Sequence, residues 1–148
     1  DSLKEGYEEL YLRLAHGFLK KPMHVGIEHE DDFVEKTRDT LGLLMEDKNT
    51  KLFVAAGKEQ LIGYVAINIH PALHINGYEC MIREVYVREE FREKGIGSAL
   101  MAYVERHAKD AGCKRLSLAT KWDDEMQKAF YESLGFSRRC DFAVKKIG

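Results

Sequence analysis

One segment restricts the fold more than any other: Val85-Tyr-Val-Arg-Glu-Glu-Phe-Arg-Glu-Lys-Gly-Ile-Gly-Ser-Ala-Leu100. A strand ends, a short charged loop turns, and from Gly95 the apolar period becomes helical. Ile96, Ala99, Leu100, Tyr103, Val104, His107, Ala108 and Ala111 form one stripe, and Gly112 is a natural stop. With a further short strand at Arg115–Ala119, this makes a strand–helix–strand unit with a right-handed crossover. The loop itself reads Arg92-x-x-Gly95-x-Gly97. Two glycines let the backbone approach a ligand closely, and the N–H groups of the helix's first turn point outward with the positive end of its dipole. Arg92 and Lys94 add full charges, so the loop has the makings of a pyrophosphate cradle. The Gly-Lys-Ser/Thr ending of a Walker A loop is absent, and Gly95-x-Gly97-x-x-Leu100 leaves the GxGxxG fingerprint incomplete.

The rest of the chain supplies a sheet for that unit. Ser2 is placed to cap a helix carrying Leu3, Tyr7, Leu10, Tyr11, Leu14 and Phe18. A second helix is expected from Asp31 or Asp32, with the stripe Val34, Thr37, Leu41, Leu44 and Met45. Strands are read at Lys51–Ala56 and Leu61–Ile69 around a turn at Gly57–Gln60, then at about Glu79–Val87 after a loop His70–Gly77. Asp123–Leu134 reads as a helix that Gly135 ends, and Phe136–Ile147 as one or two closing strands. The order is α-α-β-β-β-α-β-α-β(-β): a mixed α/β sheet, partly parallel, with helices on both faces.

Residues 1–148 are expected to form one domain, with 45% hydrophobic and 32% charged residues. No apolar run reaches the roughly 18 residues that cross a bilayer. Asp1–Leu10 does not read as a signal peptide, and three cysteines without CxxC spacing fit a reducing cytoplasm. The net charge of −2 hides an asymmetry: residues 1–50 hold 12 acids and 7 bases, residues 51–148 hold 13 and 16. That balance argues against nucleic acid as a partner, which usually demands a strongly basic domain.

The loop resembles the Arg/Gln-x-x-Gly-x-Gly/Ala signature of the GNAT superfamily of acyl-CoA-dependent N-acyltransferases. Downstream, Ala129-Phe-Tyr-Glu-Ser-Leu-Gly-Phe136 is similar to the family's FYxxxGF helix end. The resemblance runs from about Lys51 to Ile147. It implies the GNAT fold, with splayed strands at the CoA site, and acetyl-CoA as acyl donor. It implies that Val85, Tyr86 and Val87 hold the pantetheine, and that Arg92, Lys94, Gly95, Ile96, Gly97 and Ser98 hold the pyrophosphate. Tyr131 matches the tyrosine that protonates the departing thiolate in many members, while Phe130 is expected to pack. The acceptor amine must lose a proton, and Glu84 and Glu79 are the candidates, Glu84 first. This chain reads Ile82-Arg83-Glu84-Val85 where Ile-Glu-Asp-Leu is common, and strand alternation sends Arg83 and Glu84 to opposite faces unless a bulge intervenes. Asp124 replaces an asparagine that contacts pantetheine in many relatives; it is equally placed to cap the helix. The family's usual first strand is not read here.

His70 and His74 lie in a proline-containing loop, and no metal site is expected from them; a substrate-facing histidine on this hairpin is the alternative. His107 is read as a packing residue. Neither Cys80 nor Cys113 has a base beside it in sequence, so transfer should pass directly from thioester to amine. The acidic run Glu28-His-Glu-Asp-Asp32 suggests a cationic acceptor such as a polyamine, an aminoglycoside or an amino-acid-like amine. The competing expectations are a CoA-binding module without turnover and a protein or peptide N-acetyltransferase. By fold analogy, the hairpin Ala66–Tyr86 and the last strand could pair a homodimer.

Overall fold

Alternating apolar residues between positions 50 and 118 build one four-stranded sheet. The computed structural model describes residues 39–57, 61–120 and 122–148. Strands β1 (Thr50–Ala56), β2 (Leu61–Ala72), β3 (Gly77–Val87) and β4 (Cys113–Leu118) lie in the order β1-β2-β3-β4. The first three pair antiparallel, and β3 pairs parallel with β4. A parallel pair needs a crossover, and helix α1 (Ile96–Asp110) supplies it. It packs on one face of the sheet and touches all four strands. The core joins Val65 and Ile67 of β2, Cys80 and Ile82 of β3, and Leu100, Met101, Val104 and Ala108 of α1.

Most of the expected helical stripe is confirmed, with Leu100, Val104 and Ala108 buried. Tyr103 is instead half-exposed and meets Phe53 edge-on at 4.9 Å, while Met101, outside the stripe, is buried. His107 packs as expected, 5.1 Å from the Phe53 ring. Gly95 caps the start of α1 at φ +80°, and Gly112, also at +80°, ends the turn that follows it.

Three expectations are corrected. The loop after Ile69 is shorter than His70–Gly77, because β2 runs through His70 and Pro71 to Ala72 and β3 begins at Gly77. Pro71 is tolerated because β1 pairs β2 only as far as Asn68, so the strand has a free edge there for a residue without an N–H. No strand forms in 136–148. The alternation Cys140, Phe142, Val144 resembles a strand, but the segment forms no ladder with the sheet, and every residue from 137 onward is exposed, so its apolar side chains bury no face. The second helix is present over 39–46, with Leu41 buried, but Met45 points away from the core and is half-exposed. The first helix, the start of the second and the acidic run 28–32 lie outside the described residues. Helix α2 (Glu125–Ser133) follows β4.

Two register shifts decide which side chains share a face. In the β2–β3 pair, Ala66 faces Glu84 and Ile67 faces Ile82, so Arg83 is an extra residue on β3. Without it, Ile82 would be followed on the α1 face by Glu84 and Tyr86. With it, Val85 and Val87 join Ile82 there. In the β3–β4 pair, Tyr78 faces Cys113 and Glu79 faces Arg115, which makes Lys114 the extra residue. Glu79, Met81, Arg115 and Ser117 therefore lie on the face opposite α1.

Candidate active site

The two family-like motifs lie near the end of the β3–β4 pair. That pairing stops at Ile82 opposite Leu118, where β4 ends, while β3 continues to Val87. Val85, Tyr86 and Val87 thus run past the end of β4, paired with β2 alone. Beyond Val87 the chain makes a short 3-10 turn, Glu89–Phe91, and passes Glu93 at φ +62° before Gly95 at φ +80°. The first intrahelical bond of α1 is Ala99 N–H to Gly95 O at 3.0 Å, so the N–H groups of Ile96, Gly97 and Ser98 precede the helical ladder. These are the donors an anion would use.

The two glycines of the loop serve different ends. A Cβ on Gly95 would meet nothing within 4 Å, so that position is glycine for its left-handed backbone. A Cβ on Gly97 would lie 3.3 Å from the Phe130 ring, so that position is glycine for contact with α2. Arg92 gives Nε–H to the Val87 carbonyl at 2.9 Å and lies over the Tyr86 ring, 5.6 Å from its centroid. Lys94 lies over Phe91 at the same distance. The cationic side chains are thereby tied to the strand end and the loop.

Helix α2 brings Tyr131 to this region. Asp124 caps it by accepting from Met126 N at 3.0 Å and Gln127 N at 3.2 Å, the alternative role read for it from sequence. Gly135 at φ +91° ends it, with Phe136 N bonded back to Tyr131 O at 3.0 Å. The Tyr131 ring sits between Phe130 at 5.1 Å and Phe136 at 5.9 Å. Burial pushes its phenol above the usual range, which keeps it a neutral proton donor at pH 7. Phe130 packs, as expected.

On the opposite face lies a polar cluster. Glu79, 5% exposed, accepts from Arg115 Nη2 at 3.0 Å and Nε at 3.2 Å on one carboxylate oxygen. His70 Nε2 and His74 Nε2 lie 3.7 and 3.8 Å from the other oxygen. Burial raises the Glu79 carboxyl pKa, but the Ser117 hydroxyl, Arg115 and His70 outweigh it, and the net direction is down. Glu84, the first-choice base, is exposed beside the Arg83 bulge. Arg83 itself turns back, with Nη1 3.0 Å from the Met81 sulfur.

Arg115 and Ser117 had no signal in their own neighbourhood of sequence. The signal was indirect: a glutamate inside an inner strand needs a cation beside it. No group of three metal-ligating side chains is assembled among the described residues, and Arg115 occupies the cation position beside Glu79. Burial pushes the Cys80 thiol up to about 11 and raises Cys113 as well, so both stay protonated at neutral pH. No described helix is long and apolar enough to cross a membrane.

Known proteins share this fold. The profile of the acetyltransferase (GNAT) family matches residues 8–136. Two relatives are 33% identical: the uncharacterized protein YdhI of Bacillus subtilis over 96 residues and N-alpha-acetyltransferase 30 of Schizosaccharomyces pombe over 88. Those matches take in 60% and 58% of this chain but only 59% and 57% of the relatives, so the chain spans less than two thirds of their length. An aminoglycoside N(6')-acetyltransferase type 1 of Acinetobacter baumannii is 24% identical over 127 residues, 82% of this chain and 84% of that protein. Among solved structures, a transcriptional regulator from Bacillus halodurans C-125 superposes with a TM-score of 0.83 at 24% identity, covering 97% of this chain and 95% of that one.

Proposed function

The chain belongs to the acetyltransferase (GNAT) family, and from that premise we propose that it moves an acetyl group from acetyl-CoA directly to a primary amine of a small cationic acceptor. One observation carries the reading: Gly97 of the Arg92–Gly97 loop lies against both Phe130, the neighbour of Tyr131 on α2, and Val87, at the end of the stretch of β3 that outruns β4. In this reading Arg92, Lys94 and the N–H groups from Gly95 to Ser98 hold the pyrophosphate. Val85, Tyr86 and Val87 take the pantetheine in a slot where β3 outruns β4, and Asp124, at the start of α2, faces its far side. The amine attacks the thioester carbonyl, the C–S bond breaks, and Tyr131 donates its phenol proton to the leaving thiolate. A carboxylate of β3, Glu84 or Glu79, accounts for the amine's proton. Neither Cys80 nor Cys113 is acylated, since both thiols are held protonated.

A cationic acceptor is supported by the acid excess of residues 1–50 and by the aminoglycoside acetyltransferase among the relatives. A peptide N-terminus is the second reading, favoured by the relative named N-alpha-acetyltransferase 30. Release of free CoA thiol, measured with acetyl-CoA and a panel of polyamines, aminoglycosides, amino acids and peptides, decides between them. Turnover with neutral amines in preference to cationic ones would remove the cationic acceptor. Tight CoA binding with no release for any amine would leave a binding module.

A further inference from the structure

The cluster around Glu79 can be followed proton by proton. The Thr50 hydroxyl, 2.7 Å from Asp47 Oδ2, gives its one proton to that carboxylate. Thr50 Oγ1 is then the acceptor for Asn68 Nδ2 at 3.4 Å, which turns Asn68 Oδ1 toward His70 Nδ1 at 3.1 Å. An amide oxygen only accepts, so Nδ1 carries the hydrogen and the lone pair of neutral His70 is on Nε2. That lone pair faces Glu79 Oε2 across 3.7 Å, two acceptors with no proton between them at rest and a gap longer than a hydrogen bond, which a side-chain rotation must close before a proton crosses. His74 adds no donor: its Nε2 accepts from Arg115 Nη2. Among the described residues Arg115 is the one permanent cation on the carboxylate, and it serves the other oxygen.

The remaining member is Ser117. Its hydroxyl is buried and has no hydrogen-bond partner of good geometry, an anomaly among the described residues. It stands opposite Met81, in the last β4 register on this face before β4 ends at Leu118 and β3 runs on alone. Its position beside Glu79 favours the carboxylate form. Ser117 thus lies between Glu79 and the end of β4, where the reading above puts the closed end of the slot, and His70 lies between Glu79 and solvent, with its side chain 37% exposed.

We propose that Ser117, Glu79 and His70 form a relay that carries the acceptor amine's proton from the closed end of the slot to the solvent edge of the sheet. This rests on the amine-acetylating reading above. The ammonium N–H bond breaks and its electron pair stays on nitrogen, ready to attack. Ser117 Oγ takes that proton and passes its own to the Glu79 carboxylate. As the two side chains close their gap, Glu79 returns to the carboxylate by protonating His70 Nε2, and the imidazolium releases the proton to water. Arg115, itself held by His74, keeps the Glu79 carboxylate in place, and Asn68, Thr50 and Asp47 fix the ring of His70.

The full chain is tested in two ways. Imidazole 15N NMR should find neutral His70 protonated at Nδ1; an Nε2–H tautomer overturns the relay whatever the activity. With an amine that the wild type acetylates, His70→Gln should lower kcat by about 10–100-fold and change the shape of the pH profile, while KM for acetyl-CoA stays unchanged. Ser117→Ala should lower kcat about tenfold, and Ser117→Thr, which restores the hydroxyl, should recover it. Wild-type turnover with His70→Gln unchanged in rate and pH profile overturns the relay alone, as does an effect confined to Glu84→Gln. No thiol release by the wild type with any amine removes the acetylation reading and the relay with it.

Discussion

Glu79 and Arg115 face each other directly across the parallel β3–β4 pair, and both Arg115 nitrogens, Nε and Nη2, reach the same carboxylate oxygen. The carboxylate is buried and the guanidinium half-exposed, so the pair draws on a low local dielectric at one end only.

Arg115→Met should therefore cost about 1–3 kcal/mol at neutral pH, less than a fully buried pair because water screens the arginine. The pH dependence has a definite sign. The folded carboxyl pKa lies below its unfolded value, so the contribution is complete above the unfolded pKa of about 4.3 and is lost as pH falls through the folded one. Urea unfolding of both proteins across that range should show the deficit of Arg115→Met shrinking on acidification. A deficit that stays constant with pH would mean that the loss is packing alone.

The two loop glycines separate conformation from contact. Gly95→Ala meets no atom, so its cost is the left-handed backbone, about 1 kcal/mol. Gly97→Ala pushes on Phe130, and the accompanying change Phe130→Leu should relieve it. Thermal melts should show rescue of Gly97→Ala by the second substitution and no rescue of Gly95→Ala. Equal behaviour of the two would show that contact with α2 is not what holds Gly97.

How much of this could be read from residues alone depends on range. Helix α1 was legible because its period and its bordering glycines are local. Tyr131 was singled out by the resemblance of its helix end to the family's, and the local part of that reading, a helix stopped at Gly135, is what the structure shows. The face occupied by Glu84 was not legible: it depends on the extra residue Arg83, which arises from pairing with β2. Arg115 and Ser117 were missed for the same reason, since the register of a parallel pair is set across a whole crossover. The closing strands failed in the other direction, because Phe142 and Val144 alternate as a strand does but stay exposed and pair with no described strand.

Thiol reactivity should follow burial. Cys140 is exposed, Cys113 half-buried, and Cys80 buried with its thiol pKa raised to about 11. The thiolate is the reactive form, so iodoacetamide at mildly alkaline pH should label Cys140 first and leave Cys80 unlabelled until urea unfolds the chain. Peptide mass spectrometry reads the order directly. Labelling at Cys140 should leave acetyl transfer intact, as direct transfer requires. Loss of activity that tracks Cys140 modification would count against a cysteine-independent mechanism.

Tyr131 tests the other end of the reaction. Burial among Phe130 and Phe136 raises its pKa above the free phenol value of about 10. The acid form is the useful one, so ionisation of Tyr131 can lower kcat only above that pH, and the profile should show no phenolic fall between neutrality and about pH 9.5. Tyr131→Phe keeps both ring contacts and removes only the proton donor. It should lower kcat by about 100-fold, the lower range for general acid catalysis, with KM for acetyl-CoA and the melting temperature little changed. Leaving groups discriminate further: an acyl donor whose thiol is more acidic needs less help in departing, so the Tyr131→Phe deficit should narrow with such a donor. A deficit that is the same for both donors would place Tyr131 in packing and not in proton transfer.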